Sequence, residues 1–593
     1  YGTVVVEEQN TDGTDSTQSE TVGENVSIHD SIDDADQAVN DQNSALENTP
    51  IVNVIGGSSN AGLVNVEGVN ADSGLRLDDV DSGLTKSIYT LTEEQVEGVK
   101  VNINGGALNA TGNVNVKADA TTNADIGTFD ATAAIASAGS TVSVLNVTRD
   151  SAVNITGAQI EAGDINVNTN QDGLAELYAY QGKISGVDIN VTVTNASLQG
   201  NNDITVSDSD LQADNALNIN TSDVSKLKLE TIAATVSVGN VGVLIANASN
   251  DSTSTIDINN SSNLEAVNGD VNVLAHHGVS DTLMDAAQQV YENSIKNNKE
   301  LASAKTAYEA AQNAYNAADE NDDKLSLATD LESARLALED AEADAKRTAE
   351  IEKINYLMDT QNAETINVKV IPTSVGVLAT GLAVSSSLDD NSSTAVVIGA
   401  NNGVGTDNNT FTAGNNVYIN ARNNSVNEIS SVATAASIGL AVGVTGVDID
   451  ANATSKVTVG DGNTFVAGTG TKTVDIEALA NVVNKADMLG IGGAGIASFA
   501  VNWADVTAKT DVDVIVGSNN YRANILNING ESIIDQYAKA TGGVGGVYTT
   551  GTNFAKVNAY DSVEVSANGM QVVDDSVGSI VNTANITAHN IVN

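Results

Sequence analysis

The chain has 593 residues, and 25 Lys and Arg against 77 Asp and Glu give it a formal charge of −52. That length exceeds what one globular core usually supports, so several domains or one elongated repeat array are expected. The charge argues against nucleic acid and anionic membrane surfaces as partners and favours solubility and cation binding, and the absence of cysteine removes disulfide and thiol chemistry while leaving the redox compartment open.

Aromatic residues make up 3% of the chain and there are two prolines, which with abundant Val, Asn, Thr and Gly suits short strands and tight turns. Residues 1–50 hold twelve acidic residues and no Lys or Arg, and are expected to be a low-order or capping segment. No basic start or apolar run of a signal peptide stands at Tyr1, so an internal or processed fragment is expected. Residues 51–100 alternate more weakly, as in "GLVNVEGV", and are read as the start of the repeat array, which is expected over 51–277.

From "GNVNVKA" onward a short phrase returns: a turn, an apolar residue, a polar residue and a second apolar residue. It places Val114/Val116, Ile165/Val167, Leu217/Ile219, Val271/Val273, Val417/Ile419, Val474/Ile476 and Leu526/Ile528 in equivalent slots. Successive first positions differ by 51, 52, 54, 146, 57 and 52 residues, which is repeat spacing. A second phrase includes "VTVGDGNTFVAG" from Val457, and a third is rich in small residues, as in "AATVSVGNVGVLIA" from Ala233. All three alternate as half-buried strands do, so each repeat carries more than one strand. The expected fold is mainly β, a parallel β-solenoid of repeats of about 50 residues, with valine and isoleucine inward. Asn115, Asn166, Asn218 and Asn272 share the outward slot, where either an amide ladder or a solvated face would account for them.

His276 and His277 are adjacent, opposite in direction if extended, and stand where the pattern changes, which favours a junction role over a metal site. Beyond them the 146-residue interval hides an insertion. From Ala275 to Ser374 is 99 residues, whereas Ala421 to Ser437 in the following repeat is 16, an excess of 83. Over 278–362 the period becomes helical: Leu301, Ala304, Tyr308, Ala311 and Tyr315 form one stripe, and Leu327, Leu331, Ala334, Leu338, Ala341 and Ala345 another. "DENDDK" separates them and offers Asp322 or Asp323 as N-cap. One inserted antiparallel helical hairpin is expected, coiled-coil in character, with two helices of about 35 residues and about 50 Å each. The solenoid is expected to resume over 363–593.

The run Ile429–Val447 is uncharged but alternates, unlike a membrane span. "GIGGAG", Gly490–Gly495, matches a dinucleotide-binding pattern with Asp511 about twenty residues on, yet it continues into alternating strand where that motif needs a helix. Asp448/Asp450 and Asp511/Asp513 each lie on one strand face and could bridge calcium, but no calcium-loop spacing accompanies them, so a charged outer face with at most weak calcium binding is expected. With four histidines and scattered basic residues there is no catalytic constellation, and no catalytic, cofactor or metal residues are assigned.

The "GxVxVxA" strand, the "AxxxSIGxAVGV" strand and "VxVGxxN" together resemble the repeat regions of filamentous-haemagglutinin-like adhesins and leukotoxin-type exoproteins of diderm anaerobic bacteria, over roughly residues 100–593 without the hairpin. The resemblance implies an extracellular, secreted or cell-surface, location and export through an outer-membrane transporter. It also implies attachment to host or bacterial cells, glycans or matrix proteins. The expected function is therefore a non-enzymatic adhesive stalk with the hairpin as candidate contact element and no nucleic-acid or nucleotide partner. A carbohydrate-active enzyme on a parallel β-helix and a non-specific biofilm or surface-layer protein are the alternatives.

Overall fold

The computed structural model describes backbone strands within residues 2–90 and the chain from Val99 to Asn593, apart from residues 319–322, 360–364, 400–406, 569–570, 573–580 and 582. The described chain is mostly β, with strands arranged in a 21-stranded and a 9-stranded sheet and with three helices. Every strand pairing from Val99 onward is parallel. Antiparallel pairing belongs to Gly2–Gln9, which pairs with Asp15–Val22 and with Leu63–Asn70. Within residues 1–50, expected to be a low-order or capping segment, backbone strands lie at Gly2–Gln9, Asp15–Val22 and Asn25–Ile28, while residues 29–50 lie outside the described chain.

The recurring phrase sets the register. Val114 pairs with Ile165, and the row continues through Leu217, Val271, Val417 and Val474 to Leu526. Both apolar members of all seven phrases are buried in one continuous core. Burial of each such side chain stabilises by roughly 1.5–3 kcal/mol, so repetition multiplies a modest local gain.

The polar slot resolves into an amide ladder. Asn166 Nδ2 donates to Asn115 Oδ1 at 2.9 Å, Asn218 to Asn166 at 2.8 Å, and Asn272 to Asn218 at 2.7 Å. In the smaller sheet the equivalent inward slot is filled by Phe411, Phe465 and Tyr521, whose rings stack at 4.9 and 5.4 Å between centroids. The preceding corner is buried and polar: Asn409 Nδ2 donates to Asn463 Oδ1 at 2.9 Å, and Asn463 Nδ2 to Asn519 Oδ1 at 3.2 Å. These side chains also accept from backbone amides of the preceding repeat, such as Ser262 N to Asn409 Oδ1 at 2.9 Å, so the turn leaves few buried donors unpaired.

By its internal contacts the chain divides into residues 1–278 with 365–592, and 279–364. The latter holds helices α1 (Asp281–Asn297), α2 (Lys299–Ala317) and α3 (Lys324–Asp359). The first arm is therefore two helices and not the single long one expected. Asn298 breaks it: its backbone is extended and its side chain accepts from Leu301 N at 2.9 Å, capping α2. Asp323 caps α3, accepting from Ser326 N at 3.2 Å, while Asp322 lies outside the described residues. Helix α3 packs against both α1 and α2, with Ala345 and Leu301 buried and Tyr315, of the expected stripe, exposed.

The insertion boundary also moves. Gly278 pairs with Asn424 and Ile366 with Asn427, so the stretch between Gly278 and Ile366 stands where the next repeat uses Ser425 and Val426. Ser374 pairs with Ala435, two residues before the Ser437 that the sequence match suggests. A slip of two preserves the inward and outward faces, so hydrophobic alternation alone does not detect it.

Candidate contact surface

The third, small-residue phrase runs opposite to the core. In the strand Ile165–Ser207 the buried positions change from Ala175 and Leu177 to Gln181, Lys183, Ser185, then Asp188, Asn190 and Thr192, while Ile184, Val187 and Ile189 are exposed. Neighbouring repeats keep the inversion. Lys183, Thr235 and Ser374 form one buried row, and Asp188, Asn240 and Thr380 another. Ile184, Val236 and Val375 form an exposed row in the same register. The inward arms face one another, since Asn240 Nδ2 donates to Ser374 Oγ and Lys183 Nζ to Asn190 Oδ1. The inward valine and isoleucine of the recurring phrase therefore do not extend to this segment. The cause is that a narrow bend pairs several of its inward polar groups across the arms, Gln181 and Lys183 with Asn190 and Asn240 with Ser374, leaving the alternate positions to carry the apolar side chains outward.

The outcome is a row of apolar side chains facing solvent along successive repeats. Ile184 is 66% exposed and continues through Val236 and Val375, while Leu378, Ile438 and Ile496, at 67%, 68% and 60%, stand at the bend of three successive repeats. Adjacent parallel strands lie about 4.8 Å apart, so apolar side chains in register on successive strands stand side by side. Contiguous apolar surface of this kind marks sites of association. The sequence contained the signal, because the third phrase alternates; what it lacked was the phase, which the bend sets.

At the base of this segment lies a buried charged line. Arg149 Nη2 donates to Asp223 Oδ1 at 3.1 Å and Arg149 Nε to Gln171 Oε1 at 3.3 Å. His277 Nδ1 stands 3.3 Å from Asp223 Oδ2. Burial pulls the Arg149 guanidinium below its ordinary value. Burial alone would push Asp223 up, but Arg149 and His277 hold its carboxyl well below the usual carboxylate range. The Arg149 backbone and side-chain stem pass beside Gly200, where a Cβ would lie 2.2 Å from the Arg149 carbonyl oxygen and 3.0 Å from its Cγ and from Gln171 Oε1, so a side chain there must shift the strand that carries Arg149. Nothing in the local sequence announces the pair of Arg149 and Asp223, 74 residues apart.

The other singled-out residues fall on strands. His276 and His277 are both buried near the end of the strand Val271–Gly278, just before α1. Gly490–Gly495 closes the strand Thr473–Ala494, and another strand, not a helix, begins at Ala497. Asp511 and Asp513 both hold Lys456 Nζ, at 2.7 and 2.8 Å. Asp448 and Asp450 lie beside the equivalent positions of neighbouring repeats, Asp448 against Asp505 and Asp450 against Asp389. Among the described residues no group of three or more His, Asp or Glu side chains is placed to hold a metal ion. None of their helices is long and apolar enough to cross a membrane. No family model, curated protein or solved structure matches the chain.

Proposed function

We propose that the stacked repeats close into a parallel β-solenoid that works as an extracellular adhesive stalk, as in the filamentous-haemagglutinin-like adhesins the sequence resembles. The observation that carries this reading is the unbroken parallel register from Val114 through Leu526, which repeats one unit along one direction. Such arrays present extended surfaces and add reach with each repeat. Contact with cells, glycans or matrix proteins is assigned first to the apolar strip, with α1–α3 as a second contact element. Export runs through an outer-membrane transporter, and the chain has no enzymatic role.

Binding of the purified protein to immobilised glycans, matrix proteins and bacterial cells tests this. Ile189 and Val241 are exposed and in register; the double variant Ile189→Glu/Val241→Glu should lower binding at least tenfold while leaving the strand signal in circular dichroism unchanged. Unchanged binding by this variant together with loss on removing the helices moves the contact to α1–α3. Hydrolysis of a bound glycan, or binding to none of these surfaces, overturns the adhesive reading.

A further inference from the structure

Within the inverted bend, three side chains carry the parts of an amide-forming reaction. Lys183 is 4% exposed, Asn190 5% and Asp188 1%. Lys183 Nζ lies 3.0 Å from Asn190 Oδ1, and Gln181 Nε2 donates to the same oxygen at 3.0 Å. Asn190 Nδ2 donates back to Gln181 Oε1, which also accepts from Thr192 Oγ1 at 3.2 Å, so the carboxamide is fixed in orientation. Asp188 is two residues from Asn190 on the same inward face. An amine thus faces a carboxamide whose carbonyl also accepts from Gln181 Nε2, among buried side chains, with the buried carboxyl group of Asp188 two residues along the same strand.

We propose that Lys183 and Asn190 join in an intramolecular amide cross-link. The Asp188 carboxylate takes a proton from the Lys183 ammonium, and the neutral Nζ attacks Asn190 Cγ. Gln181 Nε2 stabilises the negative charge that develops on Oδ1, as a preorganised donor does for any acyl transfer. The new Nζ–Cγ bond forms, the Cγ–Nδ2 bond breaks, and Nδ2 leaves as ammonium. It carries the proton held by Asp188 and one shed by the attacking nitrogen. Atoms and charge balance with no oxidant or reductant, and Asp188 is returned as carboxylate. Close placement of the reacting groups supplies the rate that free amine and amide lack. The location has a physical rationale: the arms of this bend carry their apolar side chains outward, so a covalent tie replaces the apolar core that holds the rest of the repeat.

Mass spectrometry of the intact wild-type chain decides the matter. After folding, the mass should fall below the sequence mass by about 17 Da, one ammonia. Trypsin should no longer cut after Lys183, so a single peptide covering 150–226 should replace 150–183 and 184–226, and its fragmentation should place the link between Lys183 and Asn190. Lys183→Arg and Asn190→Ala should each restore the full mass. An unchanged wild-type mass, normal cleavage after Lys183, or a mass loss that persists in Lys183→Arg overturns the proposal. The wild-type peptide map stands by itself if either variant fails to fold.

Discussion

Asn166 donates to Asn115 and accepts from Asn218, so its side chain belongs to the ladder and not merely to the solvent face. Asn166→Asp puts an acceptor-only carboxylate against Asn115 Oδ1 and should lower stability by about 1–2 kcal/mol in urea melts. Val167→Asp, one position on, buries an unpaired charge and should cost more than about 4 kcal/mol. Equal costs would remove the inward and outward assignment. The apolar member of this pair was legible from alternation; the ladder and its four members were legible only as one of two readings, because alternation shows which face an amide takes but not whether it bonds to the next amide or to solvent. Carboxylates give the second prediction at this scale. Burial, helped by Asp150, pushes Asp203 up to about 6, and burial raises Asp389 and Asp448 as well, each with a neighbouring Asp adding to it. Each binds a proton more tightly folded than unfolded, so its stabilising contribution is full below the unfolded value near 4 and is lost as pH rises through the folded one. The melting temperature should therefore be higher at about pH 5 than at about pH 7.5, and Asp203→Asn should flatten that difference. A melting temperature independent of pH over this window would contradict it.

Phe465 lies between Phe411 and Tyr521 in the stacked slot of the smaller sheet. Phe465→Ala opens a cavity with an aromatic ring on each side and should cost about 3–5 kcal/mol, more than Tyr521→Phe, which keeps the ring. Denaturant midpoints check the order. The helical insertion was legible from the change of period, and its arms were legible as stripes. The break at Asn298 was not, since one asparagine inside a helical run is ordinary until its side chain turns back onto Leu301 N. The inverted segment was visible as alternation, but alternation alone does not say which of its two faces is inward. The register implies a specific excision: joining Gly278 to Thr365 through one serine copies the Asn424–Ser425–Val426 connection. The shortened chain should lose nearly all helical circular dichroism and keep its strand signal. Collapse of the strand signal would mean that the insertion is part of the fold it interrupts.

At the scale of the whole molecule, a formal charge of −52 is carried on repeats that bring like charges into register, Asp389 beside Asp450 and Asp448 beside Asp505. Self-repulsion of this kind is screened over about 8 Å at physiological ionic strength, so added salt should raise the melting temperature steadily and not merely change solubility. Lys456 held by Asp511 and Asp513, and Lys556 by Asp505, relieve the repulsion locally and are exposed enough to contribute little each. The parallel register has a mechanical consequence. Parallel ladders join successive repeats, so in the proposed solenoid tension between the ends would load them one repeat at a time, as a zipper and not as a bolt. Each released repeat of 52 residues would add roughly 170–190 Å of contour at full extension. The repeat between Val271 and Val417, 146 residues, would add roughly 480–530 Å if its helices also unravel. The force trace of a single molecule would then be a ruler of regular teeth with one long interval, its position giving the direction in which the stack came apart.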